Sequence, residues 1–431
     1  MKSIITNPYI MKKHLLIFSS LFFVMCSLSA QKLNDFDPDN PTQPYLNTIT
    51  TAAPFLLIAP DSRAGGMGDM GVATSPDNYS QHHNPAKYVF NEDIFGIGIA
   101  YSPWLTKLIN DIHLAYLATF WKITDNDAIA FSLRYFSLGE IQWTGLNGEP
   151  QGTGNPNEFS LDFTYSRKLS NIVSMAVTPR FVYSNLATNT EFAGVMTKAG
   201  LAGAVDISLF INKEFTHGRY GFKSSELFFG FNISNIGNKM SYSNEANGRR
   251  DFLPTNMRLG LTYAMSFDDY NKLSIGVEAG KLLVPTTPVG YRDSITQEWV
   301  FWGNGKNPQD INPIVGIGRS FADAAGGYSF NSVGCLNEEF REVVWSFGVE
   351  YSYRDILFVR AGTFLENKWK GNRKFATVGV GIKYSIFAID VCYLFPFTQA
   401  HPLENTLRFS LTFMLNSFNR DQIKDQGKIK N

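Results

Sequence analysis

Along most of this chain, apolar and polar side chains take turns. Phe159, Leu161, Phe163 and Tyr165 alternate with Ser160, Asp162 and Thr164; Ile129, Phe131, Leu133 and Tyr135 alternate with Ala130, Ser132 and Arg134. Near the end, Leu407, Phe409, Leu411, Phe413 and Leu415 alternate with Arg408, Ser410, Thr412 and Met414. Successive residues of a strand point to opposite sides, so period two gives each strand one greasy and one polar face. The pattern predicts strands near 95–102, 111–121, 127–138, 157–168, 173–185, 200–212, 225–236, 254–265, 272–283, 342–353, 356–364, 375–385, 386–395 and 406–415. Their length, about nine to twelve residues, suits a tilted strand crossing a bilayer. It exceeds the five or six usual in globular sheets.

A soluble sandwich buries its apolar faces between two sheets, whereas a membrane barrel turns them out to lipid. The connections favour the barrel. Short ones (Thr124 to Asn126, Leu169 to Asn171, Arg354 to Asp355) mostly alternate with long ones (Gly139 to Pro156, Gly237 to Leu253, Val284 to Arg341). Short turns belong on the periplasmic side and long loops outside. The connection Lys213 to Ser224 is the exception, too long for an inner turn. Asp162, Arg180, Asp206, Arg258, Glu278, Glu350, Arg360, Lys383, Asp390 and Arg408 all fall on the polar register. Facing lipid at mid-membrane, each Arg or Lys would cost about 2–4 kcal/mol. They are therefore placed inward, as a mixed-sign lumen network. The predicted fold is an all-β, transmembrane antiparallel barrel of about 14 strands.

The N-terminus supports export. Lys12, Lys13 and His14 precede the apolar run Leu15 to Met25, and Ala30 follows at a small-residue site, so residues 1–30 read as a signal peptide cut after about Ala30. The chain then divides into an extension and plug segment at 31–93, a barrel at 94–415 with a long outer loop at 284–341, and a polar tail at 416–431. With 38 basic and 38 acidic residues, the net charge is zero, which removes the electrostatic footprint of a nucleic-acid-binding protein. Three cysteines make no disulfide framework.

Residues 31–93 do not alternate. Gly65, Gly66, Gly68 and Gly71 permit tight backbone paths but lack the Lys-Ser/Thr of a phosphate loop. His82 and His83 have no Cys or carboxylate at zinc spacing. With Ser80 and Asp77 they form the one cluster that suggests an esterase, but no Gly-x-Ser-x-Gly elbow accompanies it, and packing or capping is the reading adopted. No enzyme activity, cofactor or metal is expected.

The string from Ala59 to Asp77, which contains Asp61-Ser62-Arg63, Gly65, Gly66 and Gly68, resembles the N-terminal hatch of FadL-like outer-membrane barrels, as does Asn84-Pro85-Ala86. With Pro54-Phe55-Leu56 ahead of it, and with Glu404 to Ser410 near the end, the chain more specifically resembles the PorV (also called LptO) family of the type IX secretion system. The resemblance implies a barrel with a hatch, in the outer membrane of a Gram-negative bacterium, in contact with lipid and lipopolysaccharide. It also implies a shuttle that binds the large translocon barrel, receives cargo through a characteristic C-terminal domain, and delivers it to a sortase-like attachment complex. The alternative it allows is a transporter of hydrophobic small molecules. Trp143, Trp299, Trp302 and Trp369 fall in the predicted outer loops and are the candidate partner-binding residues, since Trp is enriched at interface hot spots. The outer loop at 284–341, with a short helix expected within Asn307 to Ala325, is the candidate contact region.

Overall fold

The computed structural model describes residues 47–105, 111–144, 149–187, 191–192, 195–216, 223–245, 248–286, 290–292, 299–301, 311–323, 332–398, 403–404 and 406–415. The predicted signal peptide, the start of the extension, the polar tail and Trp302 lie outside them.

Fourteen antiparallel strands close into one barrel. They are β1 (Phe95–Pro103), β2 (Ile112–Lys122), β3 (Asp127–Leu138), β4 (Asn157–Lys168), β5 (Val173–Asn185), β6 (Gly200–Thr216), β7 (Ser224–Gly237), β8 (Asn256–Ser266), β9 (Asn271–Leu282), β10 (Val344–Tyr353), β11 (Leu357–Leu365), β12 (Lys374–Tyr384), β13 (Phe387–Pro396) and β14 (Leu407–Leu415). Every strand pairs with its sequence neighbour, and β1 pairs with β14 from Phe95↔Leu415 to Tyr101↔Phe409. Closure leaves no open edge, the condition for a sheet to sit in hydrocarbon where water cannot satisfy the backbone.

Burial runs opposite to that of a soluble protein. On β4 the buried residues are Glu158, Ser160, Asp162, Thr164 and Ser166, while Leu161, Phe163 and Tyr165 are exposed. The other strands expose Ile99, Val177, Leu201, Leu261, Val359, Val380, Ile389 and Leu411. This outward apolar surface matches lipid, and the polar set fills the lumen. Of the ten charges placed on the inward register, Lys383 and Arg258 are only half-buried and the rest are buried.

Turn chemistry fixes the short connections. Arg354 and Asp355 both take positive φ (57° and 54°) in the tight three-residue connection between the paired Tyr353 and Leu357. β6 runs on to Thr216 and so takes up part of the connection that the sequence assigns to a long inner turn. After the two helical turns of the plug, α1 (Ser62–Gly65) and α2 (Ser80–His83), the described part of the long connection after β9 holds two helices, α3 (Pro313–Arg319) and α4 (Ser332–Arg341). The first falls inside the expected segment; the second extends the helical part of this loop. Among the described residues no helix is long and apolar enough to cross a membrane, which leaves crossing by strands untouched.

Candidate functional site: the lumen plug and the outer rim

Residues 47–91 thread the lumen from one mouth to the other. The segment is made of short pieces: a 3-10 turn at Pro54–Leu57, four-residue helical turns at Ser62–Gly65 and Ser80–His83, and a second 3-10 turn at Pro85–Phe90. The packing is layered. At the long-loop mouth, Ala52, Ala53, Phe55 and Leu56 pack with Ile112, Leu114, Phe136, Met240 and Leu253. At the short-turn mouth, Tyr88 and Val89 pack with Phe120 and Ala130, and Ala73 and Ala86 with Phe210 and Phe228. Between the two apolar caps lies an ionic layer.

Asp61 caps the first helical turn by accepting from Ala64 N at 2.8 Å, and its second oxygen meets His83 Nε2 at 2.7 Å. Burial by itself would raise its pKa, but the adjacent His83 and the bond from Ala64 outweigh that and hold it at about 2. Ser62 N and Oγ bond Ser410 Oγ on β14. Arg63 forks onto Glu350 of β10 (3.1 and 2.9 Å) and reaches Asp77 at 2.8 Å and the Ser75 carbonyl at 3.0 Å. Burial opposes its charge, but Glu350 and Asp77 raise its pKa further. Glu350 also takes Arg360 Nε at 2.6 Å, and Arg360 reaches Asp390 at 2.5 Å, so one chain of alternating charge crosses four elements.

The Asn84-Pro85-Ala86 element has a geometric reason. Asn84 Oδ1 accepts from Ala86 N as the cap of the 3-10 turn, and Pro85 starts it, where no amide donor is needed. Asn84 Nδ2 donates to the carbonyls of Val72 (3.0 Å) and Leu209 (2.9 Å), tying two parts of the hatch to β6. The Ala86 carbonyl accepts from Ser174 of β5 at 2.6 Å. Lys87 is fully enclosed; its ammonium donates to the Gly71 carbonyl at 2.8 Å and Thr74 Oγ1 at 3.0 Å, and burial pushes its pKa down to about 8.

The glycines work as a joint. Gly66 lies against Gly379, and a methyl on Gly348 would stand 2.8 Å from Met67 Cβ. On Gly362 it would overlap the backbone of Met67 and Gly68, and on Gly230 the Val72 carbonyl. Gly260 faces Ala73, and Gly276 faces Met70. Six successive strands, β7 to β12, thus each give a glycine to one track for hatch residues 66–73. Gly68 itself has φ +70°, a conformation other residues adopt at a cost. Sequence reading found the hatch glycines but missed the wall glycines, which carry no side-chain signal of their own. A residual space of about 10 Å³ lies among Arg63, Met70, Thr74, Thr262 and Glu350.

The two histidines are enclosed and paired. Ser80 Oγ donates to Asp77 at 3.0 Å and meets neither ring. His82 Nδ1 accepts from Arg134 at 2.5 Å, and burial followed by the Arg134 charge pushes its pKa well below the usual value. Arg134 also donates to the Leu56 carbonyl at 2.8 Å.

At the outer rim, α4 is pinned by its acidic face. Lys281 donates to Glu339 (2.8 Å) and Glu342 (2.5 Å), and Lys370 to Glu338 (2.7 Å) and Glu342 (2.9 Å). The opposite face leaves Leu336 and Phe340 exposed, the latter at 74%, and α3 exposes Ile314 and Val315. The Trp candidates fare differently. Trp143 sits half-buried against Gly154 in a small hairpin, Ile141–Thr144 with Pro150–Gly154. Trp369 is buried in the rim, its carbonyl accepting from Asn47 N. Trp299 begins a short strand paired with Gly290–Arg292. Of the candidates whose side chains are described, neither Trp143 nor Trp369 is exposed; among the described residues of the rim, α3 and α4 carry the exposed apolar surface, and the Glu338, Glu339, Glu342 spacing opposite Leu336 and Phe340 was its signal in the sequence.

No curated protein matches the chain. Among solved structures it is similar to the P. putida toluene transporter TodX (10% identity, 82% of this chain and 97% of that one covered, TM-score 0.46). It is also similar to the Ralstonia pickettii toluene transporter TbuX (11%, 82% and 96%, 0.40) and to a Pseudomonas aeruginosa FadL homologue (12%, 86% and 100%, 0.40). Likeness at this level carries no argument about activity. The family model for "Type IX secretion system protein PorV" matches residues 40–289. That is more than half of the chain, which therefore belongs to the PorV family of the type IX secretion system.

Proposed function

We propose that this outer-membrane barrel is a non-enzymatic shuttle whose outer face docks on the large translocon barrel. There it receives cargo through its C-terminal domain and passes it to the sortase-like attachment complex. The observation that carries the reading is the packed lumen. Ionic pairs hold the hatch to the wall, apolar clusters cover both mouths, and the space between Arg63, Met70 and Glu350 is no larger than a water. A barrel filled in this way works by what its surface holds. The exposed faces of α3 and α4 and the hairpin that carries Trp143 are the surfaces assigned to that task. Export with cleavage after Ala30 belongs to the same reading.

Affinity capture of the native complex from outer membranes tests it. Recovery of a giant translocon barrel or of cargo bearing the C-terminal domain is the expected result. Deletion of the loop at 284–341 with the barrel still folded should abolish surface display of cargo, and normal display would overturn the assignment. Radiolabelled fatty-acid uptake by reconstituted protein, without any cargo phenotype, would favour a transporter of hydrophobic small molecules instead.

A further inference from the structure

The hatch is anchored at both ends, and the two anchors lie at opposite mouths. At its C-terminal end the Asn91 carbonyl accepts from Lys122 Nζ at 2.9 Å, and Lys122 N bonds the Ile94 carbonyl. Lys122 closes β2 beside the short turn into β3. At its N-terminal end, Asn47 N donates to the Trp369 carbonyl, Asn47 Nδ2 to Glu338 Oε1 at 3.3 Å, and Ala52 N to the Phe252 carbonyl at 2.9 Å. Phe252, Glu338 and Trp369 belong to three different long connections, those after β7, β9 and β11. Strand parity puts all three at the same mouth.

We propose that the polypeptide reaches the hatch from the cell-surface side: the strap from Asn47 to Ala53 lies on the outer face, clasped by the long connections, as part of the same layer as α4. The proposal needs only the orientation in which long connections face outward, and stands whether or not the barrel shuttles cargo. The strap is joined to the plug without slack. Ala53 turns the chain through φ 49°, Pro54 starts the 3-10 turn, and Arg134 holds the carbonyl of Leu56 just beyond. Glu338 serves Asn47 and Lys370 together, so whatever moves α4 moves the leading end of the plug.

The test uses the full chain in cells with Cys335→Ser and Cys392→Ser, so that one introduced thiol is read at a time. Thr50 is exposed within the strap, Asp125 is exposed in the β2–β3 turn, and Gly318 on α3 has open space around it. On intact cells a membrane-impermeant maleimide should label Thr50→Cys and Gly318→Cys at least about tenfold more than Asp125→Cys. After the outer membrane is permeabilised, all three should label alike. Thr50→Cys protected on intact cells beside a labelled Gly318→Cys would overturn the proposal, as would labelling of Asp125→Cys alone. If Thr50→Cys loses heat-modifiable migration, Thr51→Cys, half-exposed in the same strap, takes its place: labelling on intact cells supports the outer route and protection refutes it.

Discussion

Two stretches of the barrel wall hold the same plug by different means. Strands β7 to β12 meet it backbone to backbone, through Gly230, Gly260, Gly348, Gly362 and Gly379. Strands β1 to β6 meet it mainly through side chains: Tyr79 donates to the Ile99 carbonyl, Tyr88 stacks on Phe120 at 4.9 Å, Arg134 reaches back to the hatch carbonyls, and Ser174 bonds Ala86. A side-chain contact can adjust a rotamer when disturbed. A backbone contact cannot, because protein interiors pack near crystal density and the main chain has nowhere to go. The glycine track therefore sets the position of the hatch, while side-chain contacts from around the wall, Glu350 of β10 on Arg63 among them, set how tightly it is held.

That contrast can be broken most directly at Gly362. Gly362→Val puts side-chain carbons into the Met67–Gly68 backbone and should prevent the hatch from seating. The expected result is conductance in planar bilayers and protease cleavage within residues 61–91; a closed, resistant variant would remove the glycine track from the account. Arg180→Ala comes next. Arg180 pairs with Asp162 at 2.6 Å and Asp206 at 2.9 Å, all three buried, and leaving two carboxylates unpaired should cost about 3–5 kcal/mol. Because these groups belong to the wall, the urea midpoint of the gel-shift transition should fall while the lumen stays closed. Asn84→Ala should be milder, about 1–2 kcal/mol for a lost cap, with faster hatch proteolysis as the readout.

The smallest effect is that of pH. His82 is held neutral by burial and Arg134, so the unfolded chain binds a proton that the folded chain refuses, and stability falls as pH drops through about 6.5. Asp61, depressed to about 2, adds stability above its usual carboxylate range that is lost between about pH 4 and 2. Lys87, lowered to about 8, works against folding at neutral pH, an effect that fades as pH rises from about 8 to 10. Hatch proteolysis should accelerate from pH 7 to 5, with the wall unchanged. Equal rates across that range would show that the histidine layer does not control seating.

Much of this was legible beforehand for a physical reason. Hydrocarbon enforces alternation strictly, so Phe159 to Tyr165 could be read as a lipid-crossing strand from its pattern alone. The enforcement lapses where a strand leaves the bilayer, which is why the extension of β6 through Lys213 to Thr216 was missed. The plug was visible as the segment that breaks the rhythm; Ser62, Arg63 and Asn84 all turn out to bridge hatch and wall, while Asp61 ties two helical turns of the hatch together. Their partners were not visible. Arg63 meets Glu350 across 287 positions, and nothing local announces such a pair. Trp369, chosen for an exposed loop, is buried at the rim, where the Lys368 ammonium lies over its ring and its carbonyl accepts from Asn47 N, a contact with no local pattern to be read beforehand.

The seam between β1 and β14 gives the plug a place in time as well as in space. A hatch that meets the wall at backbone distance, with its lead at one mouth and its trailing end at the other, has no clearance to be posted into a finished cylinder. The sheet must curl around it, and the last hydrogen bonds, from Phe95↔Leu415 to Tyr101↔Phe409, then lock a cask already filled.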